Sequence, residues 1–373
     1  ELVTQGLSSG NLSFVVGSAG AVQDCEIAFL CVPTPQGDDG AADLSYVQAA
    51  SEEISASLPF GAIVVNKSTV PVGSTKVVEH SLQRPDISVV SNPEFLREGS
   101  AVHDFLHPDR VVIGSDDRQA ALKVASIYDA LSAKIIITDP ASAETIKYAA
   151  NAFLATKLSF INAIAAICEG VGADISDVVL GIGSDTRIGA NFLQPGPGWG
   201  GSCFPKDSRA LIKIAENAEY NFDLLKGVIT VNDQQFDRVT EKIRRAAGGS
   251  VSGKVVAVWG LTFKAGTDDL RDSPSLQIIH RLLHLGAIIQ AFDPTVTTHR
   301  IGLSEEIQIA DSALACTRNA EVLVVLTEWS EFTKIDPSEV RAVMSGRTIV
   351  DGRNLLDRST WQEAGFTHLG IGR

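Results

Sequence analysis

Residues 195–207 read "PGPGWGGSCFPKD", so Cys203 lies behind a glycine- and proline-rich run, with Lys206 and Asp207 just after it. A structural cysteine needs no such surroundings. A thiol nucleophile does need a shaped pocket, a cation that favours the thiolate and a carboxylate that can move a proton. Lys147 and Asn151 are four residues apart inside a helical pattern, which puts an ammonium and an amide on one helix face. Spacing alone fits a solvated polar stripe equally well. Three further polar, proline-bearing segments, "VPTP" (32–35), "KSTVPVG" (67–73) and "NPEFLREG" (92–99), each follow an apolar run. Each alone could be an ordinary turn. Together they would line one crevice at the carboxyl ends of neighbouring strands, where open α/β sheets bind ligands.

The elements that must position these residues follow an alternating pattern. Short β-branched runs occur at 26–32, 62–67, 87–92, 110–114 and 134–138, and amphipathic stretches such as 43–57 and 117–132 lie between them. This predicts a parallel sheet buried on both faces. Asp139-Pro140 is a helix start, Asp as N-cap and Pro at the first helical position, and the helix should run to about Gly170. A second α/β alternation begins near Gly253, with strands at 254–260, 287–293, 321–327 and 347–353 and a helix over 273–286. The fold class is α/β, two Rossmann-like parallel-sheet domains joined by a long central helix. The expected boundaries are 1–139, 140–248 and 249–373.

Composition narrows the function. The 373 residues are 45% hydrophobic and 20% charged, with a formal net charge of −14, which argues against a general nucleic-acid binder. The apolar runs read as short strands or amphipathic helices, so no membrane span is expected, and no secretory leader pattern stands at the start. Cys25, Cys31, Cys168, Cys203 and Cys316 are odd in number and scattered. That pattern speaks against a disulfide framework or zinc site and for a reducing, cytoplasmic setting. Outside position 203 they read as small buried hydrophobes. His103/His107 and His280/His284 are i,i+4 pairs without a third ligand or the adjacent Glu of a zinc helix, so no metal is expected. No G-x-G-x-x-G occurs. A thiol hydrolase or acyltransferase would want a His base, and none lies near Cys203.

Four long motifs carry a resemblance: "GWGGSCFPKD", "NPEFLREGSAVHDFLHPDRVVIG", "KYAANAFLATKLSFIN" and "GLTFKAGTDDLRDSP". With them, nearly the whole chain resembles the UDP-glucose 6-dehydrogenase family, in the family's order. The resemblance implies an N-terminal NAD domain, a central helix that forms a homodimer interface, and a C-terminal UDP-sugar domain. It also implies that the first βαβ unit with the glycine fingerprint is not within this sequence. The pyrophosphate loop and ribose-binding acid therefore have no residues assigned. The implied reaction oxidises UDP-glucose to UDP-glucuronate with two NAD⁺, through a thiohemiacetal and a thioester on cysteine. Sister enzymes run the same chemistry on a UDP-N-acetyl-hexosamine or GDP-mannose.

By that resemblance Cys203 is the nucleophile, and Lys206 favours its thiolate and approaches the cofactor. Asp207 assists proton transfer, and Lys147 and Asn151 donate to the developing oxyanion. Glu98 activates the hydrolytic water, with Glu94 nearby and Thr69 in the water network. A pliable loop with Gly198, Trp199 and Gly200 wraps the sugar and diphosphate through backbone N–H groups, its glycines allowing close approach. Phe95, Leu96 and Arg97 pack over the sugar. Arg187, Lys264 and Arg353 supply positive charge, Arg187 across the dimer. Val32, Pro33, Thr34, Pro35 and Arg271, with Thr69 and Glu98, contact NAD. Trp199 stands where the family usually has Phe, and Gln194 where some relatives have Lys.

Overall fold

Strands form where the β-branched runs lie: β1 (Ile27–Leu30), β2 (Ile63–Asn66), β3 (Ser88–Ser91), β4 (Arg110–Gly114) and β5 (Lys134–Thr138). In the computed structural model, which describes residues 1–37, 40–296 and 303–373, they make one sheet in that order. Contacts divide the chain into two units, Glu1–Ala150 with Arg209–Glu219, and Asn151–Ser208 with Tyr220–Arg373.

The first sheet corrects the all-parallel expectation. β1, β2 and β3 are parallel, as are β4 and β5, but β4 meets β3 antiparallel through Ser91 and Gly114. A parallel return needs a crossover that covers a sheet face. The link here contains only the helix Ala101–Leu106, which buries no residue, so the chain turns back instead. Burial on both faces holds for β2 but fails at β5, an edge strand with two exposed residues. Because β1–β3 are parallel neighbours, the segments after them emerge at one end of the sheet, as expected.

The second sheet is wholly parallel: β6 (Val255–Trp259), β7 (Ile288–Phe292), β8 (Ile307–Ile309), β9 (Val322–Val325), β10 (Thr348–Asp351) and β11 (Thr367–Gly370), in the order β11-β10-β9-β6-β7-β8. That is the doubly wound order, whose direction reverses between β6 and β9 and leaves a crevice at their carboxyl ends. β8 and β11 were not read from sequence. One has three residues, and the other, "THLG", has a single β-branched residue.

The helix Pro140–Val171 starts where expected, Asp139 accepting from the Ser142 N–H at 2.8 Å. Its apolar content exceeds the sequence reading. By length and composition it could cross a membrane, although a core helix passes the same test and 44% of its most apolar window is buried. Ile161, Ala165 and Cys168 lie in the core of the second unit, whereas Phe153, Phe160, Ile167 and Val171 are exposed. The last four are spaced by seven, seven and four, one stripe along the helix.

Candidate active site

In the first unit, the carboxyl ends of β1, β2 and β3 carry Val32–Pro35, Thr69 and the 94–98 segment. The Thr34 hydroxyl donates to the Thr69 carbonyl at 2.8 Å, and Ser68 Oγ donates to the Val32 carbonyl at 2.7 Å, tying the first two segments together. Pro33 and Pro35 have no N–H. This segment therefore suits a flat ring better than a pyrophosphate, so the residues present fit the nicotinamide end of a dinucleotide.

Lys147 and Glu94, two separate expectations, form one unit. Lys147 Nζ donates to Glu94 Oε1 at 2.9 Å and to the Glu94 carbonyl at 2.7 Å, and its side chain is 5% exposed. The other Glu94 oxygen accepts from the Leu96 N–H. Phe95 lies between cations, with the Arg110 guanidinium 3.7 Å and Lys147 Nζ 5.4 Å from its ring centre. Arg97 is committed within the chain, held by both oxygens of Asp104 at 2.6 and 3.0 Å, a pair that holds the Asp104 carboxyl far below its ordinary range. Glu98 is half-buried one turn later.

Beneath this segment Lys67 donates to Asn92 Oδ1 at 3.0 Å and to Tyr128 Oη at 3.2 Å, and Asn92 donates to the Val112 carbonyl at 2.7 Å. Burial pulls the Lys67 ammonium down to about 8, opposed by the nearby Glu94, and pushes the Tyr128 hydroxyl up to about 12. Glu144, one turn before Lys147, is 2% exposed. Its carboxylate accepts from the Gly73 and Thr75 N–H groups at 2.6 and 2.9 Å and from the Thr75 hydroxyl. It thereby caps the helix Ser74–Leu82, which has no cap of its own. Burial pushes its carboxyl up. Lys67 and Asn92 open two of the segments singled out from sequence, whereas Tyr128 and Glu144 were not found there. A carboxylate within an apolar helical pattern was the available signal for Glu144.

In the second unit Cys203 is half-buried at the threshold of the helix Phe204–Asn217. Pro205 and Asp207 in the first turn were the unused signals for a helix start. Ser202 Oγ lies 3.6 Å from the sulfur. Asp207 is 1% exposed and gathers two expected residues, accepting from Asn151 Nδ2 at 2.6 Å on one oxygen and from Lys206 Nζ at 2.6 Å on the other. The Lys206 ammonium is thus committed to Asp207.

The 194–201 segment is packed into the second unit. Leu193, Pro195, Gly196, Pro197, Trp199, Gly200 and Gly201 are buried. Asn232 accepts from the Trp199 N–H and donates to its carbonyl, at 2.8 and 3.0 Å. The glycines are required by the protein around them. A Cβ at Gly198 (φ +125) would stand 2.5 Å from the Phe236 ring, and one at Gly200 would run into the Asp272 carbonyl. Trp199 points inward, its indole N–H donating to Ser159 at 2.9 Å.

Arg353 closes the β6–β9 crevice. It donates to the Leu326 and Phe263 carbonyls at 2.8 and 3.1 Å, pairs with Glu328 at 3.0 Å, and lies against Gly196. Lys264 Nζ is 5.4 Å from the Phe263 ring centre. Arg271 chelates Asp269, and its carbonyl accepts from the Gly201 N–H at 3.1 Å. Arg187 is not brought to this group. It is 85% exposed and forked onto Asp185.

Wound sheets with polar segments at their carboxyl ends are the architecture of nucleotide-dependent enzymes, and Cys203 stands just before the first turn that carries Asp207 with its partners Asn151 and Lys206. Three family models match in sequence order. They are the NAD binding domain of the UDP-glucose/GDP-mannose dehydrogenase family over residues 1–132, its central domain over 141–234 and its UDP binding domain over 257–358. UDP-glucose 6-dehydrogenase TuaD of Bacillus subtilis is 42% identical, covering 100% of this chain and 82% of its own length. The UDP-glucose 6-dehydrogenase of Pseudomonas aeruginosa is 43% identical over 98% of this chain and 85% of its own. Among solved structures, a UDP-glucose dehydrogenase from the archaeon Pyrobaculum islandicum superposes with a TM-score of 0.90 at 35% identity, covering 99% of this chain and 85% of that one. A UDP-D-ManNAc dehydrogenase from Pyrococcus horikoshii gives 0.87 at 26%, covering 99% and 86%. The chain belongs to the UDP-glucose/GDP-mannose dehydrogenase family, and its cofactor is NAD.

Proposed function

We propose that the chain oxidises the C6 alcohol of UDP-glucose to a carboxylate in two steps that share one covalent cysteine. The observation that carries this reading is Cys203 at the start of the helix Phe204–Asn217, with Asp207 in its first turn held by Asn151 and Lys206. The positive end of a helix favours negative charge on a group placed there.

When bound, NAD⁺ would supply the hydride acceptor, one molecule for the alcohol and, after NADH leaves, a second for the thiohemiacetal. The chain's own residues do the rest. The Cys203 thiolate adds to the C6 aldehyde, forming a C–S bond and an oxyanion, which Lys147 and Asn151 neutralise with N–H donors. Asp207 exchanges protons with the C6 oxygen through water. After the second oxidation, water aligned by Glu98, with Glu94 and Thr69, attacks the thioester. The C–S bond breaks, the carboxylate leaves, and the thiol is regenerated. Val32, Pro33, Thr34, Pro35, Thr69, Glu98, Lys206 and Arg271 hold the cofactor. Phe95, Leu96, Arg97, Gly198, Gly200, Lys264 and Arg353 hold the nucleotide sugar, and Trp199, whose N–H, carbonyl and indole are bonded within the chain, supports their segment from behind. Arg187, exposed and forked onto Asp185, serves the partner subunit.

That partner is a second copy of the chain. The exposed stripe Phe153, Phe160, Ile167 and Val171 supports a homodimer through the central helix. All five cysteines are free, which supports a cytoplasmic setting.

The test is NADH formed per UDP-glucose consumed, on the full-length enzyme and on Cys203→Ser. About two, lost in the variant, is the expected result. About one would mean the aldehyde leaves free and the covalent step is wrong. A second reading, the same chemistry on a UDP-N-acetyl-hexosamine or GDP-mannose, draws support from the likeness to the Pyrococcus horikoshii enzyme. Turnover of those sugars without turnover of UDP-glucose would favour it.

A further inference from the structure

Ser159, Asn162, Asn232 and Gln235 are among the polar side chains of the second unit that are more than nine-tenths buried and have no place in the chemistry above. All four converge on two residues of the 194–201 segment. Asn162 Oδ1 accepts from the Gly196 N–H at 2.8 Å, and Gln235 Nε2 donates to the Gly196 carbonyl at 2.8 Å. Asn232 does both for Trp199. Ser159 accepts from the Trp199 indole, and its own hydroxyl donates to the Val228 carbonyl at 2.8 Å. Two helices, Pro140–Val171 and Asp223–Ala246, thus grip the segment from its backbone.

We propose that Asn232, with Asn162, Gln235 and Ser159, is a positioning frame that sets the 194–201 segment in its substrate-binding shape before any nucleotide sugar arrives. The proposal rests on the reading of this segment as the one that holds the sugar.

Buried amides are costly unless bonded, and an apolar side chain would fill the same space more cheaply. Their use here fits a demand for position. A segment rich in glycine loses much conformational entropy when a ligand has to order it. If the protein has already ordered it, that cost is removed from binding and affinity rises. The frame also gives Trp199 a role that Phe could not fill, because Phe has no N–H for Ser159. In this chain the aromatic side chain is a third anchor of the segment.

The experiment is hydrogen exchange of peptides spanning 194–201, together with kcat and KM for UDP-glucose, on the full-length enzyme, Asn232→Ala and Ser159→Ala. The wild-type segment should exchange slowly without ligand and change little when UDP-glucose is added. Asn232→Ala should exchange fast until UDP-glucose is added, with KM raised about tenfold and kcat within about threefold. A lesion of stability alone would lower the amount of folded enzyme and leave this split unmoved. Ser159→Ala should raise KM in the natural chain and have little further effect on Trp199→Phe, since the bond it removes is already gone. Fast exchange in the free wild-type enzyme that UDP-glucose suppresses would overturn the proposal, as would Asn232→Ala exchanging like the wild type. Fast exchange in Asn232→Ala with KM unmoved would keep the frame and overturn the reading of the segment as the sugar site.

Discussion

Asn151→Asp is isosteric and strikes the buried group beside the thiol. Asn151 Nδ2 lies 2.6 Å from Asp207 Oδ2, and the two residues are 8% and 1% exposed. The change replaces an N–H donor by a second carboxylate. Two charges about 3 Å apart repel by about 5 kcal/mol at an effective dielectric near 20, less whatever Lys206 offsets. One carboxyl of the pair must therefore keep its proton well above the ordinary acid range. Its folded value is raised, so the folded state binds a proton that the unfolded state has released, and stability falls as pH rises. At acid pH the new carboxyl stays protonated and donates to Asp207 much as the amide did. The melting temperature of the variant should lie close to wild type below about pH 4, the unfolded carboxyl value, and fall progressively below it as pH rises from there through the raised folded value. Activity should behave differently. An amide has two N–H groups, one for Asp207 and one for the oxyanion, whereas a carboxylic acid has one proton. The oxyanion donor is then lost at every pH, and kcat should drop about 10²–10³-fold. Thermal melts and NADH-linked rates over the same pH series check both parts. A melting difference that does not depend on pH would refute the buried contact, and a kcat within threefold of wild type would refute the donor role.

Gly200→Ala should cost about 3 kcal/mol or more, because its Cβ would meet the rigid Asp272 carbonyl; a loss under 1 kcal/mol by urea unfolding would mean the 194–201 segment is looser than described. Glu144→Gln turns an N–H donor toward at least one of three donors and should lose about 1–2 kcal/mol. The wild-type carboxyl is raised by burial, so its contribution is greatest below the ordinary carboxylate value and declines as pH rises through the folded value; the Gln variant should lack that slope in urea titrations across the acid range. Phe160→Glu, on the exposed stripe of the central helix, should leave the melting temperature of the isolated chain nearly unchanged and shift sedimentation toward the monomer. An unchanged sedimentation coefficient would refute the dimer face.

What could be read from the sequence was whatever depends on neighbours in the chain. β-branched runs set β1–β7, β9 and β10 to within two residues at each end, since side-chain shape biases local backbone. Asp139-Pro140 set a helix start, and the i,i+4 spacing of Lys147 and Asn151 set a shared face. Cys203 and its Lys-Asp sequel lie in one short run, so the chemistry proposed for them was suggested before any fold. Tertiary structure alone decided what depends on distant partners. The antiparallel turn at β4 follows from a crossover too small to cover the sheet. The pairing of Lys147 with Glu94, and of Asp207 with Asn151, joins residues more than fifty positions apart. The 194–201 segment shows the limit most clearly. Its glycines read as freedom, because glycine removes local restraint. In the folded chain they are the positions where Phe236 and Asp272 leave no room for a Cβ, and buried amides from two distant helices bond to the backbone. Composition states what a segment is able to do, and packing, which depends on residues far away in the chain, selects what it does.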